Sequence, residues 1–295
     1  MKRILFLFAL ICLAFTSCQK VVDADNLLDT KERVSIIGYL APSDTILRVA
    51  VTKALPTIGT PIQWSTEGNF PEEFLIRNAN VSIANANGAI AELSYAEEIN
   101  AYIADAANLA IEVGNDYFLS VIVDGQEYNA SCTIPKPIET ITQNITFRPN
   151  ESGEEVANVT LSFADFLNED NYYILGGFYE ATFDDPEFGP FITNYSLFFD
   201  EDEFLTDNIN DGGILNGTSE VFVNNSDFIT EATITLQVAN VEEVLFQHLR
   251  TNSINGNTEG NPFVEFAIAP NMFLDDGAIG IFAGYSLTEK VFQIE

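Results

Sequence analysis

Beyond residue 32 the chain is built from short runs in which apolar and polar residues alternate. Alternation sends successive side chains to opposite faces, so such runs predict half-buried strands rather than helices. They fall at 33–40, 45–53, 81–86, 89–95, 117–123 and 126–134 in the first half. Asn87-Gly88 and Asp124-Gly125 each sit between two such runs. Both dipeptides suit a two-residue turn with positive φ at each position, so each predicts a hairpin. On the run 126–134, Tyr128, Ala130, Cys132 and Ile134 share one face, while Asn129, Ser131 and Thr133 share the other. Cys132 therefore reads as a small core residue. Short strands with turns at this spacing predict an antiparallel sandwich.

Pro135-Lys136-Pro137 reads as a short stiff connector. It predicts a boundary between a sandwich over 33–135 and a second β-rich domain over 136–295. In the latter, strand-like runs lie at 140–147, 157–163, 172–183, 191–199, 220–223, 229–238, 277–285 and 289–295. One segment changes period. Val241, Val244, Leu245, His248 and Leu249 follow the i, i+3, i+4, i+7, i+8 spacing of a single helical stripe. Asn240 is its expected cap, with Glu243 completing a capping box, and the helix should fade near Asn252. The pattern thus predicts a mostly β chain with two antiparallel units and one amphipathic helix. The stretch 54–79, holding Pro56, Pro61 and Pro71, is a long irregular connection of the kind that often carries function. Trp64, Phe70 and Phe74 are its apolar points and the expected partner contacts.

The first residues follow another logic. Lys2 and Arg3 precede an apolar run over 4–15, and Thr16 and Ser17 lead to Cys18. That is the layout of a secretory leader, with cysteine where the mature chain would begin. Phe15-Thr16-Ser17-Cys18 looks like a lipobox. Residues 1–17 are then a lipoprotein signal peptide, Cys18 the lipidation site, and 18–32 a tether. The apolar run is too short to span a bilayer.

Charge narrows the partners. There are 44 acidic and 12 basic residues, a net charge of −32. Such a surface repels phosphate backbones, so nucleic acid is not an expected partner. It also repels anionic head groups, which leaves membrane attachment to the lipid. An apolar content of 47% is enough for a packed core. With Cys12 in the leader and Cys18 acylated, Cys132 is the remaining thiol. No internal disulfide or cysteine zinc site is expected, and the single His248 argues against a histidine-rich metal site.

Candidate chemistry is sparse. His248 lies on the apolar stripe and no G-x-S-x-G elbow occurs, so serine–histidine hydrolysis is not expected. Nothing in the sequence pairs two acids as glycoside hydrolysis requires. Calcium is the metal that oxygen ligands suit. The acidic, turn-rich tract 200–213 offers it Asp200, Asp202, Asp207 and Asp211, without the EF-hand spacing. Gly277, Gly280 and Gly284 do not form a phosphate loop; glycines so placed in a strand mark a bulge or close packing.

A series of short motifs, weak singly, runs in a recognisable order. Cys18 leads into Lys20-Val21-Val22-Asp23, and 34–40 reads VSIIGYL. Asn80-Val81-Ser82-Ile83 precedes Asn87-Gly88. Residues 117–123 precede Gly125, Tyr128 and Ile134-Pro135. Near the end stand Asn261-Pro262-Phe263, Pro270-Asn271 and the run from Gly277 to Tyr285. In this order they resemble the Bacteroidota lipoproteins catalogued as domain of unknown function 4249. The resemblance implies that the first sandwich is immunoglobulin-like or transthyretin-like. It also implies genes that often neighbour those of TonB-dependent outer-membrane transporters. It supplies no catalytic residues.

The functional expectation is a non-catalytic lipoprotein anchored in the outer membrane, an accessory binding module of a TonB-dependent transporter or another envelope complex. Its expected place is the cell surface, with the periplasmic face as the alternative. The rival roles are a structural or adhesive surface module and a carboxylate-based surface hydrolase.

Overall fold

The computed structural model describes residues 32–54, 71–150, 152–208, 210–223, 226–258, 267–273 and 277–294. The chain is mostly β, as the alternation predicts, with antiparallel sandwich packing and one α-helix among these residues. Strands β1 (Arg33–Leu40), β2 (Ile46–Ala54), β3 (Asn80–Asn85), β4 (Ile90–Ala96), β5 (Ala101–Asp105), β6 (Asp116–Val123) and β7 (Gln126–Thr133) build the first unit. Strand β4 pairs with β5 on one side and β3 on the other, so the two groups of strands close over a common core. Val49, Val81, Leu119, Tyr117 and Tyr102 fill that core. The Tyr102 hydroxyl donates to Ile76 O and accepts from Ala79 N–H, both at 2.8 Å, which satisfies its buried polar end.

The second unit packs β8 (Ile141–Pro149), β9 (Glu155–Ala164) and β13 (Ile214–Phe222) against a larger sheet. That sheet carries β10 (Tyr172–Asp185), β11 (Gly189–Ser196), β12 (Phe204–Thr206) and β14 (Ile229–Val241). Leu161, Phe163, Tyr173, Ile234 and Leu236 meet between them. The helix α1 (Glu243–Thr258) lies on the opposite face, where Leu245 and Phe246 bury against Ile281 and Ala283.

The last strand, β15 (Ile279–Gln293), belongs to both units. Its first part pairs in parallel with β1, Ser35 opposite Ile279 through Leu40 opposite Gly284. Its second part pairs antiparallel with β14, Tyr285 opposite Val241 through Gln293 opposite Thr233. The runs 277–285 and 289–295, which read as two strands, are therefore one. Phe273, Ala278 and Phe282 complete the core of the first unit from the far end of the chain. Two glycines make this possible. Gly280 holds φ +134°, and a Cβ there would meet Ile36 O at 1.8 Å. At Gly284 a Cβ would meet Thr133 O at 2.4 Å, because β7 crosses close beside it. Close packing is the reading the sequence suggested for these positions.

The proline connector is held on both sides. Ser286 Oγ donates to Pro135 O at 2.6 Å, Asn240 Nδ2 to Lys136 O at 3.0 Å, and Thr288 Oγ1 to Ile138 O at 2.8 Å. Glu242 adds a carboxylate clasp, accepting from Thr133 N–H at 2.8 Å and Gly284 N–H at 2.6 Å. Burial holds its carboxyl above the usual range, opposed by those two backbone bonds.

Other local expectations change as well. The helix begins at Glu243 rather than beyond an Asn240 cap, because Asn240 and Val241 are the last rungs of the β14 ladder. It runs to Thr258, past Asn252. At Asn87-Gly88 only Gly88 has positive φ, and the Asn85 side chain accepts from both Asn87 N–H and Ala89 N–H, making a longer loop. Asp124-Gly125 has positive φ at both residues and Val123 opposite Gln126, the tight hairpin expected.

Candidate functional site

Two places on this scaffold gather side chains of chemical interest. The first lies where the turn after β9 meets the loop before β13. Asp165, Asp207 and Asp211 each bring a carboxylate oxygen within 4.8 Å of the others. Asp165 and Asp207 are buried and Asp211 is exposed. Asp165 accepts from Tyr173 Oη–H at 2.5 Å and from Gly212 N–H at 2.8 Å. Asp207 accepts from Asn171 N–H at 3.0 Å, and Asp211 from Asn168 N–H at 2.8 Å. These bonds tie the loop 207–213 to the turn 165–171. Burial, followed by the bond to Asp165, pushes the Tyr173 hydroxyl well above its ordinary value.

The acidic tract thus divides. Asp207 and Asp211 come together, with Asp165 as a partner the sequence did not single out. Asp200 and Asp202 lie apart in a 3-10 turn, Asp200–Asp202. Asp202 there accepts from Thr218 N–H and Oγ1–H, both at 3.1 Å. Calcium takes six to eight oxygens, so the three carboxylates would supply half a shell at most without bidentate contact. Asp165 sits at the end of a strand run rather than in an acidic stretch, and no spacing rule would have found it.

The second place is the outer face of the first unit. Ile37, Tyr39, Asp44, Ile46, Arg48, Ile99 and Tyr285 line an open pocket of about 340 Å3. Residues on β1, β2 and β15 that point away from the core produce it, by the same alternation that fills the core behind them. Ile46 is 52% exposed and Ile99 48%. Among the described residues Arg48 makes no ion pair, although four of the other cations do. Its charge is felt by Asp44, Tyr39 and Tyr285. Burial raises both tyrosine hydroxyls, and Arg48 opposes the shift in each. Asp44 is also raised by burial, offset by Ala41 N–H, which donates to it at 2.8 Å, and by Arg48. Tyrosine and arginine are among the residue types enriched at binding hot spots.

The remaining site expectations distribute as follows. Cys18, Trp64 and Phe70 lie outside the described residues. Phe74 ends a 3-10 turn, Glu72–Phe74, and is half-buried. Cys132 is buried, and burial raises its thiol far above the range of a reactive thiolate. His248 is half-buried on α1, where burial holds it below its usual value. No helix among the described residues is long and apolar enough to cross a membrane, which says nothing about crossing by strands.

A family model described as "Domain of unknown function (DUF4249)" matches residues 21–291. No curated protein matches the chain. Among solved structures, the C-terminal globular domain of an oligosaccharyltransferase from Pyrococcus abyssi aligns at 10% identity and a TM-score of 0.15. The alignment covers 89% of this chain and 47% of that one, and likeness at this level carries no argument about fold or function.

Proposed function

This chain belongs to the DUF4249 family, and from that premise we propose that it is a lipid-anchored, non-catalytic binding module of the outer membrane, an accessory of a TonB-dependent transporter or another envelope complex. Cys18 is the attachment point, and the acidic body faces away from the lipid. The anchor makes each encounter with a membrane partner effectively intramolecular, so modest contact energy suffices.

The observation that carries this reading is the pocket holding Tyr39, Arg48 and Tyr285. The tether enters β1 at Arg33, opposite Ala54, while Gly38 pairs with Val49 at the other end. Six residues of strand separate Arg33 from Tyr39, roughly 20 Å. The pocket therefore lies toward the end of β1 away from the tether. A catalytic role has less support, since buried Cys132 and half-buried His248 have the environments of packing residues.

The test is affinity purification of tagged full-length protein from solubilised outer membranes. The wild type should recover a transporter or another envelope protein, and the exposed-face variant Arg48→Glu should recover at least tenfold less. Equal recovery by the two proteins would overturn the choice of surface.

A further inference from the structure

A cavity beside the helix lies elsewhere, and its chemistry points to a ligand. Helix α1 and the turn after β11 enclose a cleft of about 740 Å3, within the range of small-molecule sites. Its lining includes Asp200, Glu201 and Glu203 from that turn, Arg250 from α1, and the aromatic Phe199 and Phe204. Phe198, 71% exposed, stands at the rim.

The charges face one cleft without neutralising each other. Among the described residues, no ion pair within 4.0 Å joins Arg250 to any carboxylate. The Glu203 side chain has no hydrogen-bond or ion-pair partner there, and its carboxyl is raised by burial and then by Asp200. A partly desolvated acid left without a partner carries a cost that a bound cationic group relieves. Arg250 in the same lining has the planar fork that suits a carboxylate. Opposite charges that line one cleft without pairing, together with aromatic side chains, suit a molecule with a cation at one end, an anion at the other and an apolar body between.

We propose that this cleft binds short peptides with free termini. The terminal ammonium sits at Asp200 and Glu203, the terminal carboxylate at Arg250, and an apolar side chain lies on Phe199 and Phe204. A single amino acid would leave much of the volume empty, so a few residues fit better. This goes beyond the anchoring role and does not depend on it, because the cleft belongs to the second unit.

Calorimetry with the purified full-length protein decides the matter. The probes are Ala-Phe-Ala with both termini free, its N-acetyl form and its C-terminal amide. The free tripeptide should bind, and each capped form should bind at least tenfold more weakly. Arg250→Gln should remove the discrimination against the amide while keeping that against the acetyl form. Glu203→Gln combined with Asp200→Asn should do the reverse. Arg250 is exposed on α1, so its variant should melt like the wild type. No heat with the free tripeptide at millimolar concentration, equal affinity for free and capped forms, or an Arg250→Gln profile like that of the wild type would each overturn the proposal. Failure here leaves the envelope partner of the Arg48 surface untouched, since that is read by co-purification.

Discussion

At the scale of single residues, the informative positions are those where backbone or burial leaves one acceptable side chain. Gly280 is such a place. Its φ of +134° and the 1.8 Å approach of a built Cβ to Ile36 O leave no room for any other residue. Gly280→Ala should destabilise the protein by about 2 kcal/mol or more, read as a lower midpoint in urea. His248 gives a pH signature. Burial lowers its folded-state pKa below 6.5, so the folded protein binds fewer protons than the unfolded chain in the window beneath that value. Its contribution is complete above about 6.5 and is lost as pH falls through the folded-state pKa. The stability difference between wild type and His248→Gln, from urea melts across this range, should therefore shrink toward acid. A constant difference would contradict the burial. Comparing the pair cancels the opposite trend expected from Glu242, whose raised carboxyl favours acid.

At the scale of elements, strands such as β2, β3, β4 and β6 were legible because buried and less buried residues alternate along them. Along β6, Tyr117, Leu119, Val121 and Val123 are buried while Asp116 and Phe118 are exposed, which repeats in structure the alternation of the sequence. Strand β5 was not legible. It is five residues long, reads AYIAD, and pairs between β2 and β4 through contacts that no local pattern announces. The helix start was misplaced for a related reason. Val241 fits the helical stripe and is buried, but it is buried as a strand residue opposite Tyr172 and Tyr285. A buried position at a strand–helix junction satisfies either period, so the ladder decided it. Phe246, buried against Tyr172 and Phe204, falls off the predicted stripe and was missed. Of the candidate sites, the acidic tract could be seen but its partner Asp165 could not. The pocket at Arg48 needs three strands, one of them more than two hundred residues along the chain, and no local pattern can reveal it.

At the scale of the molecule, β15 binds the two units into one structure. It supplies β1 with a partner and the first core with Phe282, while Phe273 and Ala278 come from the segment before it. A fragment over 33–135 would expose the β1 edge and leave a void where those side chains pack. Such a fragment should show no cooperative thermal transition, and a sharp transition like that of the full chain would contradict this account. The twelve-strand sheet that results carries the Arg48 surface toward the end of β1 away from Arg33. In the proposed role the lipid does the holding, because a chain of net charge −32 has no electrostatic attraction to an anionic membrane. The most direct measurement is metabolic labelling of producing cells with a clickable palmitate analogue, comparing wild type with Cys18→Ser. Label on the wild type and its loss from the variant are the predicted outcome; an unlabelled wild type, or a variant labelled as strongly, would contradict the anchored module.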